Sequence, residues 1–362
     1  MEPNTVSQRP IMVDGHLDLS MNAMEWNRDL RKPISEINLR EAGKSDLPGR
    51  GNAMVSVDAL RKGNIGLVFA TQIARYVAPD NPLPGWHSPE QAWAHTQAQL
   101  AWYREMELEG VLRQVTDRTT LLHHLNDWRA HRSNAIGYLL TLEGADSIVT
   151  LHHLERAYAS GLRALGPAHY GPGRYAQGTN ATGGIGTIGK ELLREMEHLG
   201  IILDATHLCD DSFQEVMDHY RGPVWASHHN CRSIVDHNRQ FNDDQLRELI
   251  SRGAVIGGVM DAWMMVPNWQ KGVSTPHGMN CGLERLIDHM DHICQLAGNA
   301  NHIAIGSDLD GGFGKEQSPF DLESIADLDK LPSLLAGRGY KAEDIDKVTH
   351  SNWLDFLLRV WK

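Results

Sequence analysis

Residues 199–228 read LGIILDATHLCDDSFQEVMDHYRGPVWASH, and they hold one full repeat of the fold. The apolar run Gly200 to Ala205 has the length of a buried strand. Asp211 to His219 spaces its apolar residues every three or four positions, as a surface helix does, and Pro223 to Ser227 begins a second apolar run. Two continuously apolar strands joined by a helix are the mark of a parallel sheet covered by helices. Each of these strands delivers a histidine at its C-terminal end, His207 and His228.

The same unit recurs in both directions along the chain. Apolar runs at Pro10–Asp14, Gly63–Thr71, Asn134–Leu142, Gly161–Leu165, Ala254–Val259 and His302–Gly306 bring the predicted strands to eight. Helical spacing appears over Pro89–Glu109, Ile148–Ser160, Ile188–Leu199, Asp243–Arg252 and Gly282–Leu296. Eight βα repeats predict an α/β fold of the (β/α)8 TIM barrel type rather than an open sheet. Turns entering strands are short and carry glycine, as at Gly200, Gly222 and Gly253. Those leaving strands are long: Arg75–Ser88, Gly166–Gly189, His229–Asn242, Asp261–Cys281 and Leu309–Ser324. Long strand-to-helix loops lie on the C-terminal face of a barrel, where its active sites are built.

The chain has 362 residues, which a prior of about 150 residues per domain would divide in two. No linker or low-complexity tract marks a division, so one barrel domain over 1–362 is expected. Hydrophobic residues at 41% and charged residues at 22% exclude a disordered chain. A formal charge of -12 argues against a phosphate-backbone ligand, so no nucleic-acid partner is expected. The start, MEPNTVSQRPIMVDGHLDL, does not read as a signal peptide, no run approaches about 18 apolar residues, and the end carries no lipid-anchor tail. A cytoplasmic protein with no membrane partner is the expectation. Cys209, Cys231, Cys281 and Cys294 form no C-x-x-C pair and read as buried thiols.

Ionisable residues fall where the apolar runs end, at positions a barrel would bring together. His16 and Asp18 in DGHLDL are two apart, so on an extended segment they share a face. Glu143 in TLEGAD closes the third run, and Asp308 in HIAIGSD follows the eighth. Together with His207 and His228 these are three acids and three imidazoles at corresponding rim positions, a set that predicts a metal centre. Imidazole favours zinc and its transition-series neighbours. Six ligands exceed the three of a single catalytic zinc and divide between two ions sharing a bridging carboxylate. A water held between two such ions is acidified towards hydroxide and can attack a polarised carbonyl or phosphoryl centre.

Competing motifs are weaker. Gly184, Gly186 and Gly189 match G-x-G-x-x-G ahead of Asp204, the pattern of a nicotinamide dinucleotide site, but the polar YAQGTNATG before them is no strand. Asp308-Leu309-Asp310-Gly311-Gly312 lacks the later ligands of a calcium loop. No nucleophile elbow, H-E-x-x-H helix or P-loop is present.

The blocks DGHLDL, LEGAD, GLRALGPAHY, TIGKELLREMEHLGIILDATHLCDDSF, PVWASHHNCRSIVDHNRQFNDDQL, HIAIGSDLDGG and SNWLDFLL resemble, in order and over nearly the whole chain, the membrane (renal) dipeptidases of peptidase family M19, in the amidohydrolase superfamily. The resemblance implies two Zn2+ ions, one held by His16 and Asp18 and the other by His207 and His228, with Glu143 bridging. It implies that Asp308 accepts a proton from the attacking water and passes it to the leaving amine. His169 would stabilise the oxyanion, and Arg239 would bind the terminal carboxylate of a dipeptide, where the plain alternative is a surface ion pair with Asp243 or Asp244. A homodimer and activity on dipeptides, including those with a D-residue at the C-terminal side, are likewise implied. The segment GGVMDAWMM lacks the family's Asn-Phe pair, and the loop YGPGRYAQGTNATGGIG departs from the family version, which points to altered specificity. The rival readings are a hydrolase for another small amide, a lactone or a phosphoester, a nicotinamide-dependent oxidoreductase, and a silent metal-binding barrel.

Overall fold

The computed structural model describes residues 8–78, 81 and 83–361. Its strands are β1 (Met12–Leu17), β2 (Ile65–Ile73), β3 (Leu112–Gln114), β4 (Ile136–Glu143), β5 (Leu162–Gly166), β6 (Ile202–Asp204), β7 (Val224–Trp225), β8 (Ile256–Gly258) and β9 (Ile303–Ile305). All pairings are parallel, in the order β7-β6-β5-β4-β2-β1-β9-β8. Ala226 just past β7 bridges to Ile256 of β8, with Ala226 N donating to Val255 O at 3.0 Å and Gly257 N to Ala226 O at 2.8 Å. That contact closes the sheet into the expected (β/α)8 barrel.

The predicted strands all form, with edges displaced by a few residues. β1 runs on to Leu17 instead of stopping at Asp14, because Leu17 still pairs with Ala70 of β2. His16 therefore stands on a strand rather than in a loop. β3 and the helix Arg118–Arg129 form an additional unit between β2 and β4 that the apolar pattern did not announce. β3 spans only three residues and pairs with the start of β4 alone, too short a run to register as periodicity. Cys209, Cys231 and Cys281 are buried as expected, but Cys294 is only partly so, its thiol 3.7 Å from Tyr340 Oη.

Helix ends follow local chemistry. Ser88 Oγ accepts from Gln91 N to start Pro89–Leu108, and Asn242 with Gln245 forms a capping box for Asp243–Ser251. Gly200 ends its helix in the left-handed region at φ 72°, which glycine enters without a Cβ clash. Inside the barrel Phe69 of β2 stacks on Trp225 of β7 at 4.6 Å, and Trp353 from the helix Asn352–Val360 meets both rings. One pleat further along β2, Thr71 turns its hydroxyl to His16, so the aromatic layer lies directly under the polar rim.

At the closing seam three backbones touch. A Cβ on Gly306 or on Gly257 would overlap the carbonyl oxygen of Ser227. Gly306→Ala is expected to cost about 3 kcal/mol, the upper end for overpacking a core, measured as a lowered denaturation midpoint. A variant as stable as the parent would show that the seam is loose.

Candidate active site

The residues singled out at the strand ends converge. His16 Nε2 lies 3.7 Å from Asp18 Oδ2, 3.8 Å from Glu143 Oε2 and 3.8 Å from Asp308 Oδ1. The other oxygen of Glu143, Oε1, faces His207 Nε2 at 3.1 Å and His228 Nε2 at 3.3 Å. One carboxylate thus points an oxygen at each of two groups. The donor sets His16–Asp18–Glu143, Glu143–His207–His228 and His16–His228–Asp308 each have their ligand atoms within 4.8 Å of one another.

Plain structural roles for these side chains do not hold. Asp18 begins the helix Leu19–Met24 but makes no side-chain cap. Glu143 ends β4 without capping the turn Ala145–Ser147 that follows. His16 Nε2 and Asp18 Oδ1 are buried and have no hydrogen-bond partner, a costly state for polar atoms unless a ligand completes them.

The imidazoles are aimed from behind. Thr179 Oγ1 donates to His207 O at 3.4 Å and so offers its oxygen to His207 Nδ1 at 3.0 Å. An Nδ1–H donated there leaves a lone pair on Nε2. Ser227 Oγ is 2.9 Å from His228 Nδ1, and Thr71 Oγ1 is 3.4 Å from His16 Nδ1. Nε2 of His207 and Nε2 of His228 then face each other at 3.3 Å. Both nitrogens also lie against Glu143 Oε1, so three potential ligand atoms meet at one point. The donor set of imidazole and carboxylate fits divalent transition metals.

Electrostatics agree with this. Burial holds His207 and His228 well below the usual histidine pKa, with Arg239 and neighbouring imidazoles adding to it. Burial also opposes charging His16, but Glu143, Asp18 and Asp308 outweigh it and raise its pKa to about 10. Desolvation lifts Glu143 to about 7 and Asp308 well above the carboxylate range.

Asp18, Glu143, His207, His228 and Asp308 line one cavity of about 680 Å³, with His169 and Arg239. His169, after β5, points Nε2 towards Glu143 Oε1 at 3.9 Å. Arg239 is 2% exposed, donates Nη2 to His228 O at 3.1 Å and leaves Nη1 buried without a partner. The surface-pair alternative for Arg239 does not hold, because Asp243 and Asp244 pair with Arg247.

Other charged residues near the site are spent on the scaffold. Asp310 accepts from Met54 N and Val55 N, so it is no calcium ligand. Asp204 Oδ1 accepts from Thr206 N and Ser227 N, and the glycine loop before the helix Gly186–Leu199 is filled by Glu215, which accepts from Ile185 N. Arg75, Tyr170 and Asp261 also line the cavity and escaped the sequence reading. Arg75 and Asp261 do follow apolar strands, and β2 extended to Ile73 places Arg75 at its mouth.

A sequence profile described as Membrane dipeptidase (Peptidase family M19) matches residues 2–362. An uncharacterized dipeptidase of Schizosaccharomyces pombe is 26% identical, covering 97% of this chain and 80% of its own. The dipeptidase verJ of Clonostachys rogersoniana is 25% identical over 90% of this chain and 77% of its own. Among solved structures, a family M19 metallopeptidase, dipeptidase AC, superposes with a TM-score of 0.78 at 22% identity over 98% of this chain and 99% of that one. A metallopeptidase of Rhodobacter sphaeroides, liganded with a phosphinate mimic of L-Ala-D-Ala, gives 0.76 at 22% identity over 98% and 100%.

The acids around His16 raise its pKa to about 10, so a metal bound there competes with a proton, and affinity should rise with pH through the neutral range. Zinc titrations in buffers of different ionisation enthalpy should report net proton release at pH 7.5. Heats independent of the buffer would show that metal displaces no net proton from His16 and the acids around it.

Proposed function

The chain belongs to the membrane dipeptidase family, peptidase family M19, and is a metal-dependent dipeptidase; from this premise we propose a binuclear zinc enzyme whose substrates include dipeptides with a C-terminal D-residue. The observation that carries the two-ion reading is the split of Glu143, one oxygen towards His16 and the other towards His207 and His228. His16 and Asp18 would hold one ion, His207 and His228 the other, and Glu143 both. When bound, such ions supply an acidified water and polarise the scissile carbonyl.

The remaining roles belong to the protein. Asp308, its Oδ1 3.8 Å from His16 Nε2, stands beside the ligand cluster, where it can take the proton from the attacking water and hand it to the departing amine. His169 presents a ring nitrogen to the developing oxyanion, and one such donor contributes about 3 kcal/mol. Arg239 offers its unpartnered Nη1 from the cavity wall to the substrate's terminal carboxylate, which a guanidinium binds well because its donors form a planar fork. The D-residue preference draws on the ligand of the Rhodobacter sphaeroides structure.

We also read residues 1–362 as one domain, which the closed sheet supports. The four free cysteines favour a reducing, cytoplasmic compartment. No helix among the described residues is long and apolar enough to cross a membrane. A homodimer follows from the family resemblance alone, and sedimentation would measure it.

Elemental analysis of the purified protein should return two zinc equivalents, and His207→Ala should lose about one of them together with activity. Unchanged metal and rate in that variant would remove the assignment. Across a substrate panel, a dipeptide should be cleaved and its C-terminal amide should not. Equal rates on both would discard Arg239 as the carboxylate clamp, and turnover confined to lactones or phosphoesters would replace the proposed substrate class.

A further inference from the structure

We propose that Arg75 is a positioning residue for His169: its guanidinium decides which imidazole nitrogen bears the proton, so that an Nε2–H faces the reacting carbonyl. This rests on the oxyanion role given to His169 above.

Arg75 Nη2 lies 2.5 Å from His169 Nδ1. A guanidinium has only donors, so Nδ1 must be the acceptor and carry the lone pair. The single proton of the neutral ring is then on Nε2. That nitrogen is 3.9 Å from Glu143 Oε1, too far for a hydrogen bond, and the ring lines the cavity. Its donor is thus free for a substrate oxygen. With Nδ1 unengaged, the ring could carry its proton on either nitrogen, and in one of the two forms it would turn a lone pair towards developing negative charge.

The surrounding chain is built to keep the two side chains in register. Asp146 accepts from Tyr76 N at 3.3 Å and from Arg174 N at 3.0 Å, tying the segment after β2 to the loop after β5 that carries His169. Arg75 itself is held by Nη1 donating to Pro84 O at 3.2 Å and by its carbonyl accepting from Trp86 N at 2.8 Å. On the other side Thr179 N donates to His169 O at 2.9 Å. A Cβ on Gly144 would come within 3.3 Å of His169 Cβ, so the strand end bearing Glu143 packs against the same histidine. These contacts fix the main chain and Cβ of His169, and Arg75 holds the ring and sets its proton.

The test uses the zinc-loaded enzyme with Arg75→Met and Arg75→Lys. Imidazole 15N spectra, with the His169 signals identified by their loss in His169→Asn, report the tautomer directly, because protonated and unprotonated ring nitrogens resonate far apart. The parent should show His169 protonated at Nε2. Arg75→Met should show mixed protonation and lower kcat about 10- to 100-fold, up to the loss of an oxyanion donor, with KM little changed because Arg75 acts through the histidine. Arg75→Lys keeps a donor at the site and should restore the Nε2–H form and most of kcat. A reduced kcat with the tautomer unaltered, a raised KM with kcat retained, or a parent enzyme protonated at Nδ1 would each overturn the proposal. Should the parent cleave no dipeptide, the function proposed above fails, and the 15N spectra alone decide whether Arg75 places the proton.

Discussion

The Glu143 carboxylate, buried at the end of β4 with imidazoles against both of its oxygens, is the constraint on which the rest of the mouth depends. An ionised carboxylate removed from water is tolerated only when cations or donors surround it. Here the ring nitrogens near it are neutral at His207 and His228, and they give little compensation unless metal is bound. Within the polypeptide the compensating charge comes from His16 on the other oxygen, and a bound metal would add to it.

Holding that arrangement falls to a layer of polar contacts beneath it. Asp14 accepts from Ser307 N at 2.8 Å and Ser307 Oγ at 2.5 Å, which locks β1 to the chain leaving β9. Asp204 does the same between β6 and β7 through Ser227 N. Ser227 in turn stands beside both His16 and His228. These carboxylates are occupied by amide and hydroxyl donors, so they can sit in the barrel without drawing a ligand of their own. Above them, His207 and Asp308 take left-handed backbone conformations, at φ 70° and 58°. Such geometry costs about 1–3 kcal/mol per residue outside glycine and persists only where packing enforces it. A Cβ on Gly311 would collide with the Asp308 carboxylate, so the chain around Asp308 leaves that acid its space.

The cavity is asymmetric in a useful way. Arg239 comes from the loop after β7, and Arg75 from the loop after β2, four strands away in either direction around the ring. The two guanidiniums nevertheless line the same cavity. One keeps a buried donor without a partner, while the other is engaged with His169. Similar cations on one rim thus do unlike work, and the partner each has already taken is what separates them.

Periodicity determined the barrel: eight apolar runs with helices between them admit few other closed solutions, and the six acids and imidazoles at their ends were legible because parallel strands all terminate on one face. The glycine that ends a helix at Gly200 likewise showed in the sequence, since capping is local chemistry. Hidden from it were β3, whose three residues carry no period, and the reach of β1 to Leu17, which its neighbour β2 decides. Only the fold could show that Asp310 and Asp204 are consumed by backbone amides while Asp18 is not, because an acid's availability depends on which N–H groups arrive beside it from distant segments. The pairing of Arg75 with His169 is of the same kind, joining residues 94 positions apart through a loop geometry that no spacing rule records.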